Sequence, residues 1–291
     1  MNLIFDINNA FYKSYSVYQN IYKKDEKINE KLLFLKFLTD FYYSCRLFTN
    51  KYDVTRVICC YDSQDSFRKI LYKDYKSNRT KSPESFYNVL NYSKQFLSEK
   101  GFIVSCLSEI EADDLCGLWV NHLKDEVNCI LSADEDVRQL LNETTFIYNN
   151  NSKDKKFYYY STVVESRSLE KSKTLFEDSN WILFKKMVLG CSGDMVPKLL
   201  LGRIGEKTLK KKVYDKIEFN KDHITNDVLV EVSDKLNKTF KDEEVLISEL
   251  DANLALVNLC SDIYHSDSIR QLWADHVKDA KFTYSGSYQI D

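Results

Sequence analysis

Glycine and proline are scarce in this chain, seven and two among 291 residues. Disordered and collagen-like sequences are rich in both, so a chain that is 44% apolar and so poor in them reads as compact and globular. Cys-x-x-Cys pairs are missing although there are eight cysteines, and histidine occurs only four times. A zinc site therefore has little support. No apolar run approaches the ~20 residues that cross a bilayer, and no leader precedes the first apolar stretch, residues 2–5. We therefore expect no membrane association, and reduced thiols in a cytoplasm. A strong charge of either sign is also lacking. The 41 basic residues against 44 acidic ones leave a net charge of −3, which by itself predicts no nucleic-acid binding. Where the charges lie matters more than their sum. Internal repeats and low-complexity segments are absent. Aromatic residues are abundant, with 20 Tyr and 17 Phe, and many of them must be core.

Short apolar runs at residues 2–5, 54–61, 102–107, 127–131, 145–148 and 157–160 read as strands. Apolar residues at helical spacing mark helices over 8–22, over 32–48 and from Ala112 onward. Strand, helix and strand in succession cross over right-handed and pair in parallel. Residues 23–30 make a charged loop, residues 149–152 (Asn-Asn-Asn-Ser) a polar turn, and from Asn180 onward the pattern is helical. The expected fold class is α/β. A mostly parallel central sheet flanked by helices takes residues 1–170, and a helical region follows over 171–291, with a soft boundary in the polar stretch 165–178.

Acids recur just past the apolar strands. Asp6 follows Leu3-Ile4-Phe5, Asp62 follows the run ending at Tyr61, and Asp134 and Asp136 follow Cys129-Ile130-Leu131-Ser132. A fourth group, Glu111-Ala112-Asp113-Asp114, opens an amphipathic helix with Ala112, Leu115 and Trp119 on one face. Acids in a first turn complement the helix macrodipole, so this group alone would be ordinary helix chemistry. Carboxylates repeated at strand ends mark a site at the carboxyl edge of a parallel sheet.

Two basic segments stand out against the near-neutral total. Arg68, Lys69, Lys73, Lys76, Arg79 and Lys81 share fourteen residues with one acid, Asp74, and with Tyr72 and Tyr75. Cations interleaved with aromatic rings suit a phosphate backbone with exposed bases; the plainer reading is a solvated surface helix. In the second segment Lys198, Arg203, Lys207, Lys210, Lys211 and Lys212 face one acid, Glu206. Gly190, Gly193, Gly202 and Gly205 and also Pro197 fall in or beside it. Gly202-Arg203-Ile204-Gly205-Glu206-Lys207-Thr208 then enters a helix. Paired glycines let a backbone turn tightly and aim its free amides at an anion. Such a hairpin would grip a sugar-phosphate chain without reading bases; the alternative is an ordinary turn between two helices.

Taken in order, these motifs resemble the 5′ nucleases of bacteriophages, members of the flap endonuclease and 5′→3′ exonuclease family, and most of all its phage ribonuclease H branch. The resemblance runs almost end to end. It is carried by Asp6; by Asp62 with Arg68 and Tyr75-Lys76-Ser77-Asn78-Arg79; by Glu111-Ala112-Asp113-Asp114; by Ser132-Ala133-Asp134-Glu135-Asp136; by residues 190–197 with 202–208; and by residues 253–259, Asn-Leu-Ala-Leu-Val-Asn-Leu. The chain departs from the family at Cys191, where an Asp belongs, and at Met195, where Asn is usual. Its hairpin between Pro197 and Gly205 is also slightly longer.

The resemblance implies a PIN-like 5′ nuclease core with an arch over the site, about residues 74–92, mobile without substrate. It also implies a helix-three-turn-helix in the C-terminal region that binds duplex. Two Mg²⁺ ions are implied, with Mn²⁺ as a substitute. Asp6, Asp62, Glu111 and Asp113 would hold the first, and Asp113, Asp134, Asp136 and Asp194 the second, with Asp114 orienting bound water. Lys76, Arg79 and Arg68 would be the catalytic cations, Lys76 and Arg79 gripping the scissile phosphate. Gly202, Arg203, Gly205, Lys207, Thr208, Lys210 and Lys211 would contact the duplex. The implied task is removal of RNA primers and 5′ flaps in phage replication, by a monomer in the cytoplasm of an infected host. Its partners would be branched or RNA-primed duplex DNA with a free 5′ end, and replication proteins such as a single-strand-binding protein, a clamp or a polymerase.

The chemistry agrees with the residue types. Phosphodiester hydrolysis needs a nucleophilic hydroxide and relief of charge on phosphate, and two Mg²⁺ ions ~4 Å apart supply both. Mg²⁺ is hard and prefers carboxylate oxygens. Acids crowded in one cleft repel one another unless cations lie among them. Two other readings stay open. A PIN-type ribonuclease acting on single-stranded RNA would lack the hairpin and the long helical region. A non-catalytic DNA-binding relative would have lost a ligand at Cys191, and the remaining acids count against it.

Overall fold

The sheet is built around one short strand, β1 (Asn2–Asp6), which is buried at every position. The chain passes through α1 (Ile7–Ile21) and α2 (Glu30–Thr49) into β2 (Arg56–Cys60), then α3 (Phe67–Leu71), α4 (Glu84–Glu99) and β3 (Ile103–Ser105). Next come α5 (Ala112–His122), β4 (Asn128–Leu131), β5 (Thr145–Asn149), β6 (Lys156–Tyr159) and β7 (Thr174–Phe176). The helices α6 (Ser179–Leu189), α7 (Glu206–Lys212), α8 (Asn226–Leu236), α9 (Glu243–Val257) and α10 (Asp267–Asp279) follow. This computed structural model describes residues 1–22, 28–149, 156–160, 174–199, 205–236, 243–259 and 267–280. Most of the expected loop at 23–30, most of the turn at 149–152, and Gly202 and Arg203 of the expected hairpin lie outside the described residues.

Among the described residues seven strands form one sheet in the order β3-β2-β1-β4-β5-β6-β7. All neighbours run parallel except β5 with β6, which is the mostly parallel α/β sheet the sequence predicts. Leu3 of β1 lies opposite Val57 of β2 on one side and Cys129 of β4 on the other. The chain leaves β1 towards β2 and later returns to β4, so the strand order reverses at β1. A crevice opens at the carboxyl ends of such strands.

Alternation along the strands feeds two cores. Leu3, Phe5, Val57, Cys59 and Leu131 pack with Phe11, Phe37, Phe41 and Phe86 of α1, α2 and α4. Ile4, Ile58, Cys60, Ile130 and Ile147 pack with Leu115 and Trp119 of α5. Rings of the first core meet closely, Phe5 with Phe41 and Phe11 with Phe86 both at 4.8 Å between centroids. Burying each such ring stabilises the fold by roughly 1.5–3 kcal/mol. A third core joins α6, α7, α8 and α9 through Phe184, Leu209, Val232 and Leu250, and it takes in the ring of Tyr75.

Two expected boundaries change. The sheet does not end at residue 170, because β7 lies beyond it and pairs with β6, Phe157 opposite Thr174. Three strand residues inside a polar stretch carry too little periodicity to be seen in sequence. The expected mobile arch at 74–92 is not one element either. Residues 84–92 begin α4, and Phe86, Val89 and Leu90 are buried in the first core. Of that arch only residues 74–83 remain to cross the site.

Candidate metal and nucleic-acid site

Each strand-end acid serves the local fold as well as the cleft. Asp6 caps α1: it accepts the Asn9 N–H and the Ser132 hydroxyl, both at 3.0 Å. Asp62, two residues past β2, accepts the Ala112 N–H at 2.8 Å and so caps α5 from outside that helix. The free N–H groups of a helix start favour carboxylates. Asn8 and Asn9 lock the arrangement. Asn8 donates to Asp62 Oδ2 at 2.7 Å and accepts the Asp62 N–H, and Asn9 accepts the Ala133 N–H at 3.0 Å. Asp134 accepts the Asp136 N–H at 2.9 Å, at the start of a 3-10 turn over Asp136–Leu140.

The structure brings six of the eight predicted metal ligands to one cleft of about 450 Å³: Asp6, Asp62, Asp113, Asp134, Asp136 and Asp194 all line it. Burial raises the Asp6 carboxyl to about 7, with the charges of Asp62 and Asp134 adding to it against the Asn9 N–H. Burial, then the charges of Asp114 and Glu111, push Asp113 well above the usual carboxylate range. Carboxylates this crowded ionise together only with cations among them. A set of oxygen donors without imidazole or thiolate suits a hard divalent ion such as Mg²⁺ or Mn²⁺, so the residues present fit such a metal.

Hydrogen bonding separates the neighbouring acids of α5. Glu111, Asp113 and Asp114 each offer an oxygen within 4.8 Å of the others, so proximity alone would admit all three to a metal shell. Both oxygens of Asp114, however, are taken by the two terminal nitrogens of Arg68, and the two side chains are 2% and 1% exposed. Asp114 is therefore a poor candidate to orient metal-bound water, and that expectation is corrected. The same holds for Arg68 as a catalytic cation. Its guanidinium donates to Leu256 O at 2.8 Å, to Asn258 O at 3.4 Å and to Glu111 Oε2 at 3.0 Å. It is a buried counter-charge beneath the cleft, without reach to a phosphate.

Lys76 and Arg79 do line the cleft. Lys76 Nζ donates to Glu111 Oε1 at 2.7 Å, and Tyr75 OH donates to Glu111 Oε2 at 2.9 Å. Burial alone would raise the Glu111 carboxyl, but Lys76 and Arg68 outweigh it and hold it low. Arg79 pairs with Asp194. The segment carrying these cations crosses the cleft on hydrogen bonds: Lys76 N–H to Asp194 O at 3.0 Å, Asn78 Nδ2 to Ser192 O at 3.1 Å, and Tyr12 OH with Ser82 Oγ at 2.8 Å. Lys76 sits at φ +54°, a left-handed conformation that costs a side-chain residue on the order of 1–3 kcal/mol and persists only where the surroundings fix it.

The sequence reading missed four groups here. Asn8, Asn9 and Tyr12 line the cleft, and the polar pair just after Asp6 was the available signal. Lys186 of α6, 9% exposed, pairs with Asp136; the lysine pair 185–186 inside the otherwise apolar stretch Trp181 to Met187 was its signal.

Asp194 rides on a hairpin closed by the antiparallel bridge of Cys191 with Val196. Gly190 starts it at φ +68°, where an added Cβ would lie 2.4 Å from Val196 O, so only glycine fits. Met195 adopts φ +60°, a conformation that Asn tolerates better. Cys191 Sγ lies 3.9 Å from Asp194 Oδ2. On α7, Lys207, Thr208 and Lys211 are exposed, while Lys210 Nζ rests 5.4 Å from the Trp181 ring centroid. Gly205 is extended, at φ −76° and ψ 154°, so the tight turn expected there is not what calls for glycine. An added Cβ at Gly205 would meet nothing within 4 Å.

Residues 1–168 match the family described as 5′-3′ exonuclease, N-terminal resolvase-like domain. The chain is 28% identical over 151 residues to a 5′-3′ exonuclease of Buchnera aphidicola subsp. Schizaphis graminum, 50% of each protein. It is 27% identical over 165 residues to that of Bacillus subtilis, 55% of this chain and 52% of the relative. It thus spans about half the length of these relatives. In fold it resembles the bacteriophage T5 5′-exonuclease solved with zinc, at TM-score 0.67 and 17% identity over 97% of this chain and 100% of that one. Among the described residues no helix is long and apolar enough to cross a membrane.

Proposed function

This chain belongs to the 5′-3′ exonuclease family, and on that premise we propose that it is a divalent-metal-dependent, structure-specific 5′ nuclease. One observation carries the reading: six carboxylates, from the end of β1, from just past β2 and β4, from α5 and from the 190–197 hairpin, line one cleft with Lys76 and Arg79. Capping accounts for Asp6 and Asp62 singly, but not for six like charges gathered in one cleft.

Two ions, Mg²⁺ or Mn²⁺, would supply a hydroxide nucleophile and neutralise phosphate charge there. Asp6, Asp62 and Asp113 would hold one, with Glu111 joining if Lys76 leaves it. Asp113, Asp134, Asp136 and Asp194 would hold the other. Asn8, Asn9 and Ser132 fix the first acids through the hydrogen bonds described above. Lys76 and Arg79 now neutralise Glu111 and Asp194; a phosphate in the cleft offers them oxygens of the same charge, where they would stabilise the transition state.

The substrate we infer is branched or RNA-primed duplex DNA with a free 5′ end, processed to remove RNA primers and 5′ flaps in phage replication. Exposed Lys207 and Lys211, with Thr208 and Gly205, would contact duplex backbone, the role of a helix-three-turn-helix. The nuclease core would extend to β7, and the helical region would begin at α6. A monomer in the cytoplasm of an infected host, working beside a polymerase, clamp or single-strand-binding protein, fits this task. The test is cleavage of 5′-flap, nicked and RNA-primed duplexes and of single-stranded RNA, with Mg²⁺ and with chelator. Metal-dependent release of the 5′ strand is expected. Cleavage confined to single-stranded RNA, or none with any divalent ion, would overturn the reading.

A further inference from the structure

Residues 253–259, at and just past the end of α9, reach both ends of the acid set from below. Asn253 is 3% exposed. Its carboxamide nitrogen donates to two carbonyls, Met187 O at 2.9 Å and Pro197 O at 2.8 Å. These carbonyls lie on the two legs that lead into and out of the hairpin carrying Asp194, Met187 in the last turn of α6 and Pro197 at the hairpin's end. Between those legs the main-chain bonds are Cys191 N–H to Val196 O at 3.1 Å, Val196 N–H to Cys191 O at 2.9 Å and Leu199 N–H to Val188 O at 3.2 Å.

Further along, the Leu256 and Asn258 carbonyls accept from Arg68, the guanidinium that holds Asp114 and Glu111. Between them Val257 O accepts from Gln139 at 2.9 Å, on the 3-10 turn that Asp136 opens. One short segment is therefore wired to the elements bearing Glu111, Asp136 and Asp194.

We propose that residues 253–259 set the spacing between the two metal subsites, with Asn253 the positioning residue for Asp194. The inference rests on the metal reading above. The side-chain chemistry at 253 is restrictive. A carboxamide spans two facing carbonyls with two N–H bonds from one nitrogen. An aspartate there would face them with negative charge, and a leucine would fill the volume without tying the legs together. Hydrogen-bonded partners of metal ligands tune metal affinity by about 10- to 100-fold when removed. The partner here acts one step further out, on the backbone that carries the ligand, so we place its effect at the lower end, about tenfold.

The experiment is Mn²⁺ binding to the full chain without DNA, followed by electron paramagnetic resonance. The variants are Asn253→Leu, Asn253→Ser, Asp194→Asn, the double variant Asn253→Leu with Asp194→Asn, and Leu250→Ala. Leu250 is fully buried in the same helix, so its truncation reports a general loss of stability. Wild type is expected to bind two ions. Asn253→Leu should weaken one of them about tenfold and leave the other unchanged. Asp194→Asn should weaken the same ion, and the double variant should be no worse than Asp194→Asn alone. Asn253→Ser, which keeps one donor, should fall between, and it decides the matter if the leucine variant does not fold. Leu250→Ala should change neither affinity. The proposal is overturned if either Asn253 variant binds both ions as wild type does, if the two substitutions add, or if Leu250→Ala weakens binding equally. A wild-type chain that binds no Mn²⁺ would instead remove the metal reading itself, and this inference with it.

Discussion

Asp113 faces the cleft among other acids, while Asp114, one residue on, gives both oxygens to Arg68 beneath it. The two carboxylates belong to layers built on opposite rules. In the lower layer every charge is buried and matched: Arg68 satisfies Asp114, one oxygen of Glu111 and two backbone carbonyls. In the upper layer like charges are crowded together, and their side-chain cations come from a segment held across the cleft and from α6. The lower layer holds the helix start in place, while Asp6 and Asp62 of the upper layer cap helices and still line a cleft crowded with like charge. An acid's role is set here by its open lone pairs, not by its neighbours in sequence.

Removing each acid in turn tests that division most sharply. Asp113→Asn should lower flap cleavage by at least ~10²–10³, the scale for losing a group aimed at developing charge, and should leave folding intact. Asp114→Asn removes the charge that both terminal nitrogens of Arg68 meet in a buried site. Breaking a buried pair from one side costs about 3–5 kcal/mol, so its loss should appear first in a denaturant titration. Two variants with equal stability and equal activity would dissolve the distinction between the layers.

The cations divide in the same way. On the proposed role of Lys76 and Arg79 in the transition state, Lys76→Ala and Arg79→Ala should each reduce turnover ~10²-fold with a much smaller change in DNA affinity. Arg68→Met should instead lose stability. Turnover unchanged in Lys76→Ala, with the whole loss in affinity, would make Lys76 a backbone contact only.

Much of the upper layer was legible in the sequence, and the lower layer was not. Asp6, Asp62 and Asp134 each follow an apolar strand, and adjacent parallel strands bring their ends together at a switch point. Arg68 sat in a run of cations and was grouped with them. The helix it belongs to, α3, is five residues long, too short for periodicity to mark its buried side. Its partners are 43, 46 and 188 residues away, and no local pattern encodes contacts that distant. The arch failed for the opposite reason. The resemblance placed it at 74–92, but Phe86, Val89, Leu90, Ser93 and Leu97 line one buried helix face, and packing against α2 decides the structure of that half.

A third test uses the proton as the probe of upper-layer crowding. Asp6 titrates at about 7 in the fold, against an ordinary 3.8. A carboxyl raised by folding favours the folded state while it is protonated. Its contribution is complete below about 4 and is lost as pH rises through about 7. In chelator, wild type should therefore lose more stability than Asp6→Asn between pH 5 and 7.5, as read from thermal unfolding. Excess Mg²⁺ should shrink that difference, since a bound cation replaces the proton. Parallel pH curves for the two proteins would show that Asp6 is not strained by burial.

The smallest effect concerns Cys191, which sets a soft atom beside the upper layer. Cys191 Sγ lies 3.9 Å from Asp194 Oδ2, beside an acid that lines the cleft. A thiol is a poor ligand for Mg²⁺, so on the hairpin Asp194 would carry the proposed second subsite without help from position 191. Mg²⁺ tolerates this because it keeps several waters in its shell. The cost should appear as a higher metal requirement and not as a lost activity. Cys191→Asp would place a second carboxylate next to Asp194, and it should lower the Mg²⁺ concentration for half-maximal cleavage on the order of tenfold. Mg²⁺ titrations of both proteins on one flap substrate measure it. Equal half-saturation would mean that position 191 lies outside the reach of the ion, and that the hairpin presents Asp194 alone.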